Sequence, residues 1–364
     1  MNRDLLFEIG AEELPASYIR PALEQLRALA ETFFSEQRLA HGTIRVEGTP
    51  RRLALMVRGI PERQEDRHEE VLGPPAKAAF DADGKPTAVA LGFAKGKGVE
   101  VADLVVKGTP KGDYVFAQVH QPGRFTVELL EAWLPQIPSK LAFPKSMRWG
   151  DGGPLRFARP ISWLCALYGK RTLKFELAHL RSGASTRGHR FLGTKPSAPI
   201  ELKDAADYEP ALAKAHVLLS FDERRATLLK LLETAAKKYG RLVPDPDLLD
   251  VVANLLEKPF VLAGDFDPAY LELPKPVIVT VLREHQFAFA CERPDGSLAP
   301  VFLATTNGVE KNSAAVRDGN ARVVRARLED ARFFFGEDRK VSLEKRRDEL
   351  KAVVWQEKLG TVYE

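Results

Sequence analysis

Cysteine is nearly absent: the 364 residues hold only Cys165 and Cys291, each inside an apolar, strand-like run. That scarcity excludes a disulfide framework and leaves no sulfur set for a metal, so both thiols are expected to be buried and reduced. Long hydrophobic runs are missing as well. No stretch approaches the roughly eighteen apolar residues of a membrane span, and the opening MNRDLLFEIG lacks the apolar core and small-residue cleavage site of a secretory signal. The chain is therefore expected in the cytoplasm, with no membrane partner. The glycine–lysine run at 95–98 lacks the phosphate-loop spacing of Gly, four residues, then Gly-Lys-Ser/Thr, and is read as a helix end. Internal repeats and low-complexity linkers are absent too.

What is present fits two or three ordinary folded domains, by length and by a composition 45% apolar and 29% charged. The net charge of +4 decides nothing, but it is unevenly spread: residues 148–195 hold ten Lys or Arg against only Asp151 and Glu176. A block of that sign attracts a polyanion by its field alone.

The chain opens as β-α-β-β. Leu5 to Ile9 reads as a buried strand, and Glu12, Glu13 and Pro15 as the acidic, proline-marked start of a helix running to about Ala40. Strands follow at 43–47 and 52–60, the second alternating Leu53, Leu55 and Val57 against Ala54, Met56 and Arg58. The charged stretch 61–70 is a solvated loop or extended edge. A short helix around 88–95, strands at 101–107 and 114–120 and a helix at 126–134 make a small α/β unit. Further strands are expected at 161–168 and 172–178, helices at 204–216 and 221–240, a short helix from Asp245 to Leu256, and a strand at 260–263. The run FAFACERPDGSLAPVFLATTN is a hairpin turning on Pro294, Asp295 and Gly296, with His285 and Gln286 at the hand-over from the preceding segment. Arg224, Arg225 and Lys230 are read as part of a solvated face, and an amphipathic helix is expected at 342–355. The fold class is α+β: several small mixed modules with antiparallel sheets, ending in a helical segment.

Three stretches carry candidate binding residues. In 319–339, GNARVVRARLEDARFFFGEDR, Asn320, Val324, Leu328, Ala331 and Phe335 form one helical stripe, and Arg322, Arg325, Glu329 and Arg332 form a neighbouring one; Arg327 is a further arginine of the same segment. Guanidinium groups so spaced either fork onto phosphate oxygens or are neutralised by Glu329, Asp330, Glu337 and Asp338. Around Trp149, the cations Arg148, Arg156 and Arg159 fit either stacking and phosphate contact or cation–π pairing within the fold. In the glycine-flanked loop 183–193, Arg187, His189 and Arg190 face no acid in the neighbouring sequence. His189 either caps a strand end or touches a ligand; it has no nearby nucleophile and is assigned no proton transfer. No paired acid and base, metal cluster or activated hydroxyl is found, so catalytic residues and metal ligands are expected to be none.

Six segments in order, FEIGAEELPASYIRPALEQL, TPRRLALMV, GPPAKAAFDADGKPTAVALGFAKGKGV, SMRWGDGGPLRFARPISWL, TRGHRFLG and GNARVVRARLEDARFFFGEDRK, make the sequence similar to the β subunit of bacterial-type glycyl-tRNA synthetase, over nearly its whole length. The resemblance implies a cytoplasmic enzyme of two α and two β subunits that joins glycine to tRNA(Gly) with ATP and Mg, handled by the α subunit. This chain itself is expected to hold no cofactor and to be noncatalytic. It implies further that residues 1–62 begin a tRNA-binding-like module and that 63–140 is an inserted unit. Residues 141–310 would resemble the editing-type module of the phenylalanyl enzyme's β subunit, and 311–364 would be helices leading towards an HD-type domain. Since the family's chain continues into that domain and an anticodon-binding region, this sequence is expected to be an N-terminal portion. Editing is not implied, because a glycine pocket excludes rivals by size. Two roles stay open: the candidate arginines, with His189, His285, Gln286 and Asn320, contact tRNA, or they form a purely structural interface for the α subunit.

Overall fold

The strand Arg3–Ala11 is buried on both faces, and its alternation decides what lies on each. Leu5, Phe7 and Ile9 point into one core with Leu53, Leu55 and Val57, while Leu6 points into a second with Ala54, Cys165 and Leu167. The strand sits between Arg52–Ile60 and Ile161–Tyr168, antiparallel to both. Ile44–Thr49 closes one edge; Leu180–Gly183 adds the sheet's one parallel pairing among the described residues. The computed structural model describes residues 2–81, 83–149, 155–193, 195–308 and 311–363. The glycine- and proline-rich stretch 150–154, including Asp151, lies outside them.

The first core is covered by the helix Ala16–Glu36 through Ile19, Leu26, Ala30 and Phe33, and Phe33 stacks on Trp133 with ring centroids 4.0 Å apart. The helix Thr126–Trp133 thus belongs to this core rather than to the unit that precedes it in sequence. That unit is a three-stranded antiparallel sheet, ordered Arg67–Pro75, Gly112–Gln121, Val105–Thr109, under the helix Ala88–Lys97. The glycine–lysine run is that helix's end, with Gly98 left-handed at φ +69°. On the far side of the large sheet lie Leu202, Tyr208, Leu212, Val217 and Leu219.

A second antiparallel sheet is ordered Arg241–Leu242, Phe289–Glu292, Leu298–Asn307, Pro259–Asp265. Along its longest strand Leu298, Phe302 and Ala304 face the helices Lys275–Gln286 and Ser313–Arg339. Ala299, Val301 and Leu303 face Phe221–Ala236 and Pro246–Ala253. The α+β class, the small antiparallel sheets and the terminal helical segment are all as expected. Both cysteines are buried and unpaired, and no helix among the described residues is long and apolar enough to cross a membrane.

Four local expectations fail. The strand expected at 172–178 is two short pieces, Arg171–Thr172 and Glu176–Leu177, because the Ser182 hydroxyl accepts from Phe175 N and bonds Leu173 O, bending the chain between them. The helix expected at 342–355 stops at Leu343–Arg347; a short turn follows, and Val354–Gln356 pairs with Gly360–Thr361, as the extended preference of valine and tryptophan favours. Glu12 and Glu13 do not enter the first helix, whose first turn holds no acid; both instead pair with Arg190. Arg224 is not on a solvated face. It lies one turn from Leu228 on the buried stripe, where its guanidinium donates to the carbonyls of Gly48, Leu218, Leu219 and Ala253, and burial pushes its pKa down to about 10.

Candidate functional site

Gly10 sets the geometry where the two large sheets meet. It pairs across the strands with Trp163, and a Cβ there would lie 1.9 Å from the indole, so glycine alone lets the ring lie across the strand. Held this way, the indole N–H donates to Glu8 Oε2 at 3.0 Å. Glu8 Oε1 accepts from Arg52 Nη1 and from the Thr186 hydroxyl, each at 3.0 Å. Arg52 then reaches Glu257 Oε1 at 3.1 Å, which also accepts the Thr49 hydroxyl at 2.8 Å. Glu8, Arg52 and Glu257 are all fully buried. An arginine of the first sheet is therefore shared between a carboxylate of its own sheet and one that precedes the edge strand Pro259–Asp265 of the second.

Burial opposes charge throughout this centre, and the partners decide the outcome. Against burial, Glu257 and Glu8 hold the Arg52 guanidinium above its ordinary range. Against burial likewise, Arg52, Arg51 and the Thr49 hydroxyl hold the Glu257 carboxyl below its usual value. Arg51 is less well matched: burial lowers it, and its Nη1 stands 3.8 Å from Glu257 Oε2. That oxygen and Arg51 Nε have no hydrogen-bond partner among the described residues.

The loop after Ser185–Arg187 closes over this centre. Arg51 donates to Gly188 O at 3.2 Å and to Ser197 Oγ at 3.0 Å. His189 is buried, and its Nδ1 lies 3.1 and 3.2 Å from the N–H groups of Phe191 and Leu192. With two donors aimed at it, Nδ1 carries no proton; Nε2 donates to Asn307 Oδ1 at 2.9 Å. The same oxygen accepts from the backbone N–H groups of Glu257 and Lys258. Burial keeps the imidazole pKa below its ordinary value. Both ring nitrogens are thus engaged in hydrogen bonds that hold the loop. Arg190 is clamped by Glu12 and Glu13, and its hydrogen bond to Glu12, with the charge of both carboxylates, raises its pKa. Arg187 lies 5.4 Å from the Trp163 ring and is half-buried.

The long helix Ser313–Arg339 follows Asn307 after a short connection, of which residues 309 and 310 lie outside the described part. Val324 and Leu328 are buried beneath it, with Ala331 and Phe335 packed beside them, in the phase read from the sequence. Asn320 accepts from Gln286 Nε2 at 3.1 Å, tying it to the helix Lys275–Gln286, on which His285 is exposed. Arg322 and Arg325 face solvent with no ion-pair partner among the described residues. Arg327 stands 3.8 Å from Asp330, and Arg332 is held at 2.7 Å by Glu329 beside the Tyr270 ring. The ion-pair lattice considered from sequence therefore claims two of these four arginines and leaves two free.

Arg148 and Arg156 face one another across a two-residue ribbon, Met147–Arg148 against Arg156–Phe157, both exposed. Arg156 bonds Ser146, and Arg159 is half-buried on the carbonyl of Ala158. Trp149 is tied down by its N–H to Phe157 O at 2.9 Å. The sequence reading missed Glu8, Arg51, Arg52, Glu257 and Asn307. One of them left a mark: an acid in the middle of the apolar strand LLFEIG needs a buried partner.

Comparison with known proteins places this chain among the aminoacyl-tRNA synthetase subunits: it matches, over residues 5–364, the family model described as glycyl-tRNA synthetase beta subunit, and it belongs to that family. Curated relatives agree. It is 43% identical over 362 residues to the glycine--tRNA ligase beta subunit of Halothermothrix orenii and 43% over 363 to that of Moorella thermoacetica. To that of Myxococcus xanthus it is 45% identical over 365 residues. Each match covers 100% of this chain and 51–52% of the relative, so the chain spans about half the length of the curated relatives it matches and corresponds to their N-terminal portion.

Proposed function

We propose that this chain supplies tRNA-binding surface and subunit-assembly contacts to the β subunit of an α2β2 glycine–tRNA ligase, which attaches glycine to tRNA(Gly) in the cytoplasm. On this reading the α subunit handles ATP and Mg and performs the bond-making, while this chain is noncatalytic. The observation that carries it is the outer face of the long helix, where Arg322 and Arg325 stand free while the opposite stripe is anchored in the second core. An unpaired guanidinium on a rigid helix is suited to a phosphate oxygen. The paired arginines Arg148 and Arg156 support the same reading, since like charges opposite one another on a ribbon repel until an anion bridges them.

A second reading, a purely structural interface for the α subunit without tRNA contact, draws on Phe333 and Phe334, which are 61% and 63% exposed near the end of the same helix. Salt separates the two. The full-length β chain, with and without its α partner, is titrated with tRNA(Gly) between about 50 and 200 mM salt, a range over which phosphate contacts release counterions and weaken binding steeply. Binding that falls with salt, and falls further in Arg322→Ala/Arg325→Ala, supports tRNA contact. Tight α binding with no salt-dependent RNA binding overturns it in favour of the second reading.

A further inference from the structure

We infer that the loop 188–193 and the cavity beside it form a seat for an unpaired RNA nucleotide, whose base stacks on Phe191 and whose phosphate is met by Lys195, Lys203 and Lys214; the inference rests on the tRNA-binding reading above. A single exposed phenylalanine is ordinary on a protein surface. What sets Phe191 apart is the framework that keeps it out. The loop is tethered at nearly every residue: His189 N donates to Ala215 O and His189 O accepts from Ser197 N. Gly188 O is taken by Arg51, His189 Nδ1 receives the N–H groups of Phe191 and Leu192, and Arg190 is clamped by two carboxylates. Gly188 also packs so closely on Ala215 that a Cβ would lie 2.8 Å from that residue's own. A loop free to move would fold its phenyl ring onto apolar surface. This one holds the ring 62% exposed, edge-on to the buried His189 ring at 6.2 Å.

The same loop contributes Gly188, His189, Leu192 and Gly193 to the lining of a cavity of about 550 Å³, within the range of about 300–1,000 Å³ that small ligands occupy. Ile200, Leu202 and Ala211 are among its apolar walls. The three lysines among its lining residues form no ion pair among the described residues. Of the carboxylates that line it, Asp207 accepts the backbone N–H of Asp204, which leaves Glu201 as the one uncommitted acid there among the described residues. A cavity with apolar walls, unpaired lysines in its lining and a fixed aromatic ring on the loop that borders it matches a nucleotide, planar at one end and anionic at the other. An apolar protein side chain would leave the ammonium groups unanswered, and a duplex would hide the base faces that the ring needs.

The test uses the full-length β chain with its α partner and three probes measured side by side: a 5′-phosphorylated single-stranded RNA tetranucleotide carrying 2-aminopurine, a blunt RNA duplex, and AMP. Whole tRNA(Gly) is titrated in parallel. Phe191→Ala is expected to weaken tetranucleotide binding about 5- to 150-fold, the range for removing one stacking aromatic, and to abolish most of the 2-aminopurine quenching. Phe191→Trp restores both, and Lys195→Ala/Lys203→Ala weakens the tetranucleotide while leaving the duplex unchanged. Equal tetranucleotide affinity for wild type and Phe191→Ala overturns the inference, and if both still bind whole tRNA the broader reading stands without it. AMP binding as tightly as the tetranucleotide overturns the assignment to RNA. Failure of the wild-type protein to bind either tRNA or tetranucleotide removes both readings at once.

Discussion

Arginine does opposite work at the junction around Trp163 and on the outside of the long helix. At the junction Arg52 is wholly enclosed and satisfied by Glu8 and Glu257, so its charge joins two sheets and is presented to nothing outside. On the helix Arg322 and Arg325 lie in water over a stripe of Val324 and Leu328, and their charge is available to a partner. The residue type is the same; the difference is whether folding brings acceptors to the guanidinium away from water. Removing one partner of an enclosed pair leaves an uncompensated charge in a medium that cannot solvate it, whereas removing an exposed charge leaves only water behind. Cations clustered in sequence are therefore poor guides to a binding surface until each has been placed inside or outside.

The contrast is broken most directly at Arg52. Arg52→Met strands two buried carboxylates and is expected to lower unfolding stability by about 3–5 kcal/mol in urea titration. Adding Glu8→Gln and Glu257→Gln to it should recover part of that loss; if the triple variant is less stable than the single, the carboxylates are not what the arginine answers. Next in size is Asn307→Ala, which removes the acceptor shared by His189, Glu257 and Lys258. Roughly 2–3 kcal/mol should go with it, and amide exchange across 188–193 should quicken, whereas an unchanged exchange rate would show that the loop is held elsewhere.

His189 gives a smaller effect with a defined sign. Its folded pKa is depressed below the ordinary 6.5, so between the two values the unfolded chain binds the proton more tightly than the folded one. Stability should therefore be level above about pH 6.5 and decline as pH falls below it. The slope should vanish in His189→Gln, as melts across pH 5–7.5 would record. The smallest expected effect on folding belongs to the helix. Arg322→Ala/Arg325→Ala should leave the denaturation midpoint where it is, while the slope of log affinity for tRNA against log salt falls by about one per phosphate contact removed. A marked drop in the midpoint would place these two side chains with Arg52 rather than against it.

Much of the scaffold was legible in sequence, because it follows from period. The alternation of Leu53, Leu55 and Val57 against Ala54 and Met56 places those residues in two separate cores, and the spacing of Val324, Leu328, Ala331 and Phe335 gives the buried side of the long helix. Local pattern misled where a distant contact outweighed it. Glu12 and Glu13 read as helix-start acids but answer Arg190, 178 and 177 residues along the chain, and Arg224 read as solvated but caps carbonyls from three separate segments. The candidate loop was found through Arg187, His189 and Arg190. The tethers that fix it, Arg51 and Asn307, were not, since nothing in TPRRL or LATTN marks a residue whose partner lies more than a hundred positions away.

The order of amino acids by itself determined the α+β class, the strand and helix faces, the reduced cysteines and, through its six ordered segments, the family. Periodic burial and composition are local properties that a linear string carries. Which arginines are enclosed and which stand free was decided only by tertiary structure. Enclosure depends on acceptors reaching the guanidinium from segments far apart in sequence, carboxylates for Arg52 and backbone carbonyls for Arg224, and the free energy of a buried charge turns on that meeting rather than on the residues beside it in the chain.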